Sequence, residues 1–305
     1  MREKLIFLFF ILIHSSLNAQ GSFFLKSDSL NSKRLVITSS SIGTVWAGSI
    51  IGLQQIWYSN VTKSSFHTFD DSKNWMQMDK AGHVYTANKI SQLSGDLYKW
   101  SGMKPKKAAI IGSCIGLGYQ TSLELLDAYS VDWGFSWADM TANTAGSLIY
   151  LGQELAWNEQ RFQLKFSYHP TEYAALRPEV LGVNFQERLL KDYNGQTYWL
   201  SFNPFLFYKN SSFPKWICLS LGYSADAKLV GHSDSFTSGT TNYYAHREFL
   251  LSFDVDFSRL PIKKPWLKAL VKQFNYIKVP FPALILSDQS LLGDLSLVQH
   301  LHRDL

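Results

Sequence analysis

Cysteine is scarce in this sequence: two residues in 305, Cys114 and Cys218, with no C-x-x-C pair. That excludes a disulfide-stapled scaffold and a cysteine-built zinc site. The two fall in an apolar helical run and in a strand-like run, so their pairing in an oxidising compartment stays open. Charge is also scarce, at 17% of residues, and the formal excess of +5 is diluted over the whole chain. No basic run exceeds Lys104-Pro105-Lys106-Lys107, which leaves no nucleic-acid footprint and at most a mild attraction to anionic lipid. G-x-S-x-G, H-E-x-x-H and a phosphate-cradling glycine loop are missing too, removing the common hydrolase and nucleotide-enzyme classes. His232, His246, His300 and His302 form no ligand spacing with a neighbouring cysteine or acid.

Aromatic residues, in contrast, are plentiful at 15%. Trp and Tyr favour places dry at one end and wet at the other, so this composition suggests a large apolar or membrane-interface surface. A mean hydropathy of -0.08 does not describe a polytopic transporter. The first nineteen residues read as an export signal: Arg2 and Lys4, an apolar run from Leu5 to Ile13, and a cleavage position after Ala19. That run is too short for the roughly twenty residues a membrane-spanning helix needs.

From Leu35 to Thr62 no residue is charged. The stretch is long enough to cross a bilayer, but its Ser and Thr residues weaken its hydrophobicity. Charged flanks mark four helices at about 34–58, 79–100, 105–128 and 136–157. Pro105 suits a first helical turn, and Ser136 an N-cap with Asp139 completing a capping-box-like pattern. Small residues recur at spacing four, as Gly48 and Gly52, Gly112 and Gly116, and Ala142 and Gly146, a pattern that lets helices approach closely.

Polar groups sit inside these small-residue segments. Asp79 and His83 are i and i+4, Glu124 and Asp127 i and i+3, and Asp139, Asn143 and Gly146 i, i+4 and i+7, so each set faces one way. Convergence would assemble Asp79, Lys80, His83, Glu124, Asp127, Asp139 and Asn143 in one interior. Such a set suits a divalent metal or acid/base work by His83, Glu124, Asp127 and Asp139, with the metal and substrate unspecified. The bland alternative is a buried network in which Lys80 and His83 neutralise the acids.

Beyond Trp157, residues 159–170 read as a transition and 177–193 as an amphipathic helix closed by Asn194-Gly195. Strand-like runs follow at 197–208, 215–226 and 247–258, with LSFDVDFS alternating like a half-buried strand. Residues 231–244 read as a mobile polar loop, and 265–276 as a basic amphipathic helix able to lie on a membrane. The expected class is therefore α+β: residues 1–19 an export signal, 20–158 a small-residue-rich bundle of about four helices carrying the site, and 159–305 a short antiparallel sheet with amphipathic helices. Two functions fit: a membrane-associated envelope protein that binds a lipid headgroup, an ion or a protein partner, or an envelope hydrolase acting on a lipid phosphate.

The runs MDKAGHVYTANKIS and SLELLDAYSVDWGFSWADMTANTAG resemble the YfiM-like predicted periplasmic lipoproteins of bacteria. Asp79-Lys80-x-x-His83, Glu124, Asp139, Asn143 and Gly146 are also similar to the VanZ-like membrane proteins linked to glycopeptide resistance. The resemblance covers about residues 65–157 and implies an envelope location, inner or outer membrane unresolved, without implying an activity. The sequence departs from the first family in lacking a lipoprotein cysteine near the cleavage position, and from the second in its shorter, more polar helices.

Overall fold

The uncharged stretch folds as helix α1, Ser32–Trp57, opened by Asn31, whose Oδ1 accepts the Arg34 amide at 3.0 Å. The computed structural model describes residues 23–57, 62–208 and 212–288; the predicted signal segment and cleavage position lie outside them. Three helices follow: α2, Met78–Trp100; α3, Pro105–Asp127; and α4, Trp137–Trp157. Pro105 does occupy a first helical position, where its missing N–H costs no hydrogen bond. Ser136 caps α4 by accepting the Asp139 amide at 3.0 Å, and Asn158 closes the helix in the left-handed region at φ 56°.

Glycine lets α2, α3 and α4 approach backbone to backbone. A Cβ on Gly112 would stand 2.5 Å from Ser91 O, on Gly116 2.6 Å from Ala87 O, and on Gly146 2.2 Å from Val84 O. Ala142 is buried in the same bundle. The expected packing role of Gly48 and Gly52 is corrected: nothing lies within 4 Å of a Cβ at either, because that face of α1 is open. Gly146→Ala is therefore expected to cost about 1–3 kcal/mol by overpacking. Gly48→Ala should gain up to about 1 kcal/mol of helix propensity. Urea unfolding of the two variants checks the pair, and equal midpoints would refute it.

The bundle is polar inside and apolar outside. Asn88, Ser91, Gln92, Ser113, Gln120 and Ser147 are buried between the helices, whereas Ile110, Leu125, Leu148 and Leu155 are exposed. Small residues such as Ala87, Ala108 and Ala109 are buried beside these polar ones, so the helices pack through short side chains.

The same inversion governs the sheet. β1 is Phe162–Tyr168, where a transition is expected from sequence; its alternation is hidden because Gln163 and Lys165 point to the covered face. The predicted amphipathic helix over 177–193 breaks into α5, Tyr173–Leu176, α6, Pro178–Leu181, and α7, Phe185–Lys191. Pro178 keeps Arg177 out of helical geometry, and Gly182 turns the chain at φ 104°. β2, Gln196–Phe202, stops before Pro204, and β3 spans Ile217–Asp226. The predicted loop holds a small hairpin of β4, Ser235–Ser238, and β5, Thr241–Tyr244, turning at Gly239. β6 covers His246–Val255, the basic helix α8 is Pro265–Lys272, and β7 is Ala283–Ser287. The five-stranded sheet runs β1-β2-β3-β6-β7, all antiparallel.

In that register Leu221 faces Leu251, which faces Leu284, while Tyr223 faces Phe249, which faces Leu286. This apolar row is the exposed one: Phe253, for example, is 63% exposed. LSFDVDFS is thus the half-buried strand that its alternation predicts, with Ser252 and Asp254 on the covered side. There Lys165 Nζ lies 2.9 Å from Asp254 Oδ2, both fully buried, and Ser201 donates to the same carboxylate at 2.5 Å. Cys114 is exposed and Cys218 buried, both unpaired, and burial pushes the Cys218 thiol up to about 12. Aromatic contacts join sheet to bundle: the Tyr85 ring lies 5.8 Å from Phe166 and 5.9 Å from Tyr198.

Candidate functional site

Three consecutive residues in the left-handed region set up the site. Trp75, Met76 and Gln77 have φ of 51°, 52° and 61°, none of them glycine. Each such residue costs on the order of 1–3 kcal/mol unless its surroundings enforce it. They do so here: the Trp75 amide donates to Gly231 O at 2.8 Å, the Tyr223 hydroxyl to Met76 O, and Arg247 to Gln77 Oε1 at 2.9 Å. The turn starts α2 at Met78 and so delivers Asp79, Lys80 and, one turn on, His83 to the bundle interior.

Lys80 is the hub. Its Nζ lies 2.5 Å from Asp71, 2.9 Å from Asp79 and 2.8 Å from Asp139, with the side chain 13% exposed. Burial works against its charge, but the surrounding carboxylates outweigh burial and raise its pKa. His83 makes two kinds of contact. Its Nδ1 meets Asn143 Oδ1 at 3.0 Å and Gln120 Nε2 at 3.3 Å, while Nε2 stands 3.7 Å from both Asp79 and Asp139. Burial disfavours the imidazolium, yet Asp79, Asp139 and Glu124 together hold its pKa above the usual histidine value. Asn143 Oδ1 also accepts from Gln120 Nε2 at 2.9 Å.

The carboxylates divide. Asp79 is held below its ordinary value: burial opposes this, but His83, Lys80 and a Tyr193 hydroxyl donating at 2.9 Å prevail. Burial pushes Asp139 up to about 7, with Asp79 adding to the effect, and Glu124 up to about 8. Asp139 does not form the reciprocal half of a capping box. The Ser136 amide turns to Glu124 Oε2 at 3.2 Å, leaving the Asp139 carboxylate to Lys80 and His83. Glu124 Oε1, Gln120 Oε1 and Asn143 Nδ2 are buried without hydrogen-bond partners. Unpaired polar atoms of this kind are costly and mark places where water or a ligand belongs.

A cavity of about 230 Å³ opens onto this cluster. Asp71, Asp79, His83, Asp127 and Asp139 line its polar side, and Leu53, Trp75 and Trp133 are among its apolar walls. One ligand atom each from Asp79, His83 and Asp139 falls within 4.8 Å of the others, the reach of a single cation. The structure thus brings Asp79, Lys80, His83, Glu124, Asp139 and Asn143 together, with Asp127 on the cavity wall. Sequence reasoning missed Asp71, Gln120 and Tyr193. Gln120 was within reach, four residues before Glu124 on one helix face. Asp71 and Tyr193 come from irregular segments, where spacing carries no directional signal.

Fold and site define an α+β protein in which a polar-cored helical bundle, joined to an antiparallel sheet, holds an acid-rich cavity. Residues 67–151 match the model of a family described as a predicted periplasmic lipoprotein, DUF2279. No curated protein and no solved structure matches the chain. The matched segment contains the cluster from Asp71 to Asn143, leaving Tyr193 outside it, and its description supports a place in the cell envelope.

Proposed function

We propose that this chain is a membrane-associated envelope protein whose cavity binds the positively charged part of a lipid headgroup. The observation that carries the reading is the cavity lining, which sets Asp71, Asp79, Asp127 and Asp139 beside Leu53, Trp75 and Trp133. A lining that combines carboxylates with apolar side chains complements an amine-bearing lipid headgroup. Membrane association is supported by the apolar exterior of bundle and sheet. It is also supported by α1, whose segment Ser32–Gln55 has a mean hydropathy of 1.4 and is 6% buried, long and apolar enough to cross a bilayer.

A second reading, a hydrolase of lipid phosphates, draws on two observations. Asp79, His83 and Asp139 offer ligand atoms for a divalent cation, although the Lys80 ammonium already neutralises two of them. Asp139 at about 7 and Glu124 at about 8 are also poised to exchange protons near neutrality. Titration of the detergent-solubilised chain with glycerophosphoethanolamine, and separately with zinc or magnesium, distinguishes the two readings. Headgroup binding without metal, weakened about tenfold or more by Asp139→Asn, is the expected result. Metal binding that must precede headgroup binding would favour the hydrolase, and headgroup affinity indifferent to Asp139 would overturn the proposal.

A further inference from the structure

A second space is lined by three of the same helices as the polar cavity. It is a groove of about 250 Å³ between α1, α2 and α3, lined by Val45, Trp46, Ile90, Leu93, Ile115 and Tyr119 among others. No charged side chain lines it. An apolar groove of this size complements an apolar ligand, since covering it removes hydrocarbon surface from water.

The two spaces follow one another along the same three helices. On α1 the cavity is lined by Leu53 and the groove by Ser49, Trp46, Val45 and Ser41; on α2 His83 gives way to Ile90 and Leu93. On α3, running the opposite way, Leu123 gives way to Tyr119 and Ile115. Trp46, in the groove wall, is held by its indole N–H donating to Ser122 Oγ at 3.1 Å and by its ring edge above Gly118. At 1.5 Å per residue, the helix from Leu53 to Ser41 spans about 18 Å. One leaflet of a hydrocarbon core about 30 Å thick is roughly 15 Å deep.

We propose that the ligand is a single-chain amphiphile, with its cationic head against the carboxylates of the cavity and its acyl chain lying in the α1–α2–α3 groove. The proposal rests on the headgroup reading above and adds the chain. An acyl chain fits because it needs no hydrogen-bond partner along its length, and the groove supplies only the hydroxyls of Ser41, Ser49 and Ser94 and the Tyr119 phenol beside aliphatic and indole surface. Its outer wall, α1, is joined to the bundle by Ser39 with Tyr98 at 3.2 Å, Thr38 with Leu97 O at 3.4 Å and Arg34 with Trp100 O at 3.2 Å, among others.

The experiment compares three probes on the full chain: palmitoyl lysophosphatidylethanolamine, glycerophosphoethanolamine and palmitate. Val45→Trp fills the groove from the exposed side of α1, where the wild-type residue is 69% exposed and folding is least at risk; Ile115→Trp fills it from α3. The lysophospholipid is expected to bind about tenfold or more tightly than the bare headgroup, because each buried methylene contributes about 0.8 kcal/mol. Both variants should reduce it to the headgroup value and leave headgroup affinity unchanged. Headgroup binding with no gain from the chain, or a gain that survives both variants, would overturn the groove while sparing the headgroup reading. Palmitate bound in a manner sensitive to Val45→Trp, with no affinity for the headgroup, would overturn the headgroup reading and the amphiphile with it.

Discussion

Lys80→Met is expected to lower the unfolding free energy by about 3–5 kcal/mol, the cost of stripping one partner from a buried ionic group. The ammonium sits between Asp71, Asp79 and Asp139 at 2.5–2.9 Å, and methionine fills a similar volume without charge. Three carboxylates would then face one another with only His83 to offset them. Lys106→Ala, on the exposed start of α3, is the control and should change stability by less than about 0.5 kcal/mol. The pH dependence identifies the cause. Asp79 is held below its ordinary 3.8, so the stability it contributes is present above that value and lost as the pH falls through the folded one. Lys80 is raised above 10.5, so its contribution holds below that value and is lost only in strong alkali. The difference between wild type and Lys80→Met should therefore be full at neutral pH and shrink in acid. Equal urea midpoints at neutral pH would show a solvated cluster that the fold does not depend on.

The four bundle helices were legible to within a residue or two because charged flanks, Pro105 and Ser136 leave signals that the local backbone must obey, whereas the helix read over 177–193 was broken by Pro178 and Gly182. The convergence of three polar faces was legible for the same reason, since spacing on a helix fixes direction. What the sequence concealed is the side on which each surface lies. Alternation in LSFDVDFS predicts two faces but not which is covered, and here Asp254 pairs with Lys165 from β1 inside while Phe253 is exposed outside. β1 itself was hidden because Gln163 and Lys165 read as loop residues until a buried partner is known. Asp71 and Tyr193 reach the site through long-range closure, and the left-handed turn at Trp75–Gln77 has no glycine to announce it. The left-handed turn at Trp75–Gln77 and the unpaired Gln120, Glu124 and Asn143 atoms fall at the site, and local sequence rules are most often broken where a protein binds or reacts.

Glu124→Gln is expected to make the protein more stable than wild type above about pH 8 and to leave it little changed below pH 5. Glu124 is 1% exposed, accepts the Ser136 amide on one oxygen and has no hydrogen-bond partner on the other. Burial raises its carboxyl from 4.5 to about 8, a rise that His83 only partly opposes. Between those values the folded chain holds a proton that the unfolded chain has released. Stability is therefore full below 4.5 and is lost as the pH rises through about 8, at about 1.4 kcal/mol per pH unit where the two states differ by one proton. Asp139, raised from 3.8 to about 7, acts in the same direction. So does His83, whose raised value means stability present below 6.5 and lost as the pH climbs through its folded value. Glutamine keeps the amide acceptor without the ionisation, so the variant removes the Glu124 part of the slope and leaves the other two. Urea unfolding at several values between pH 5 and 9 measures this directly, with a gain of a few kcal/mol expected at the alkaline end. Parallel curves for variant and wild type would mean that Glu124 is ionised throughout. Its proton would then be unavailable to His83 or to a ligand in the cavity, and the acid/base reading of the site would fall with it.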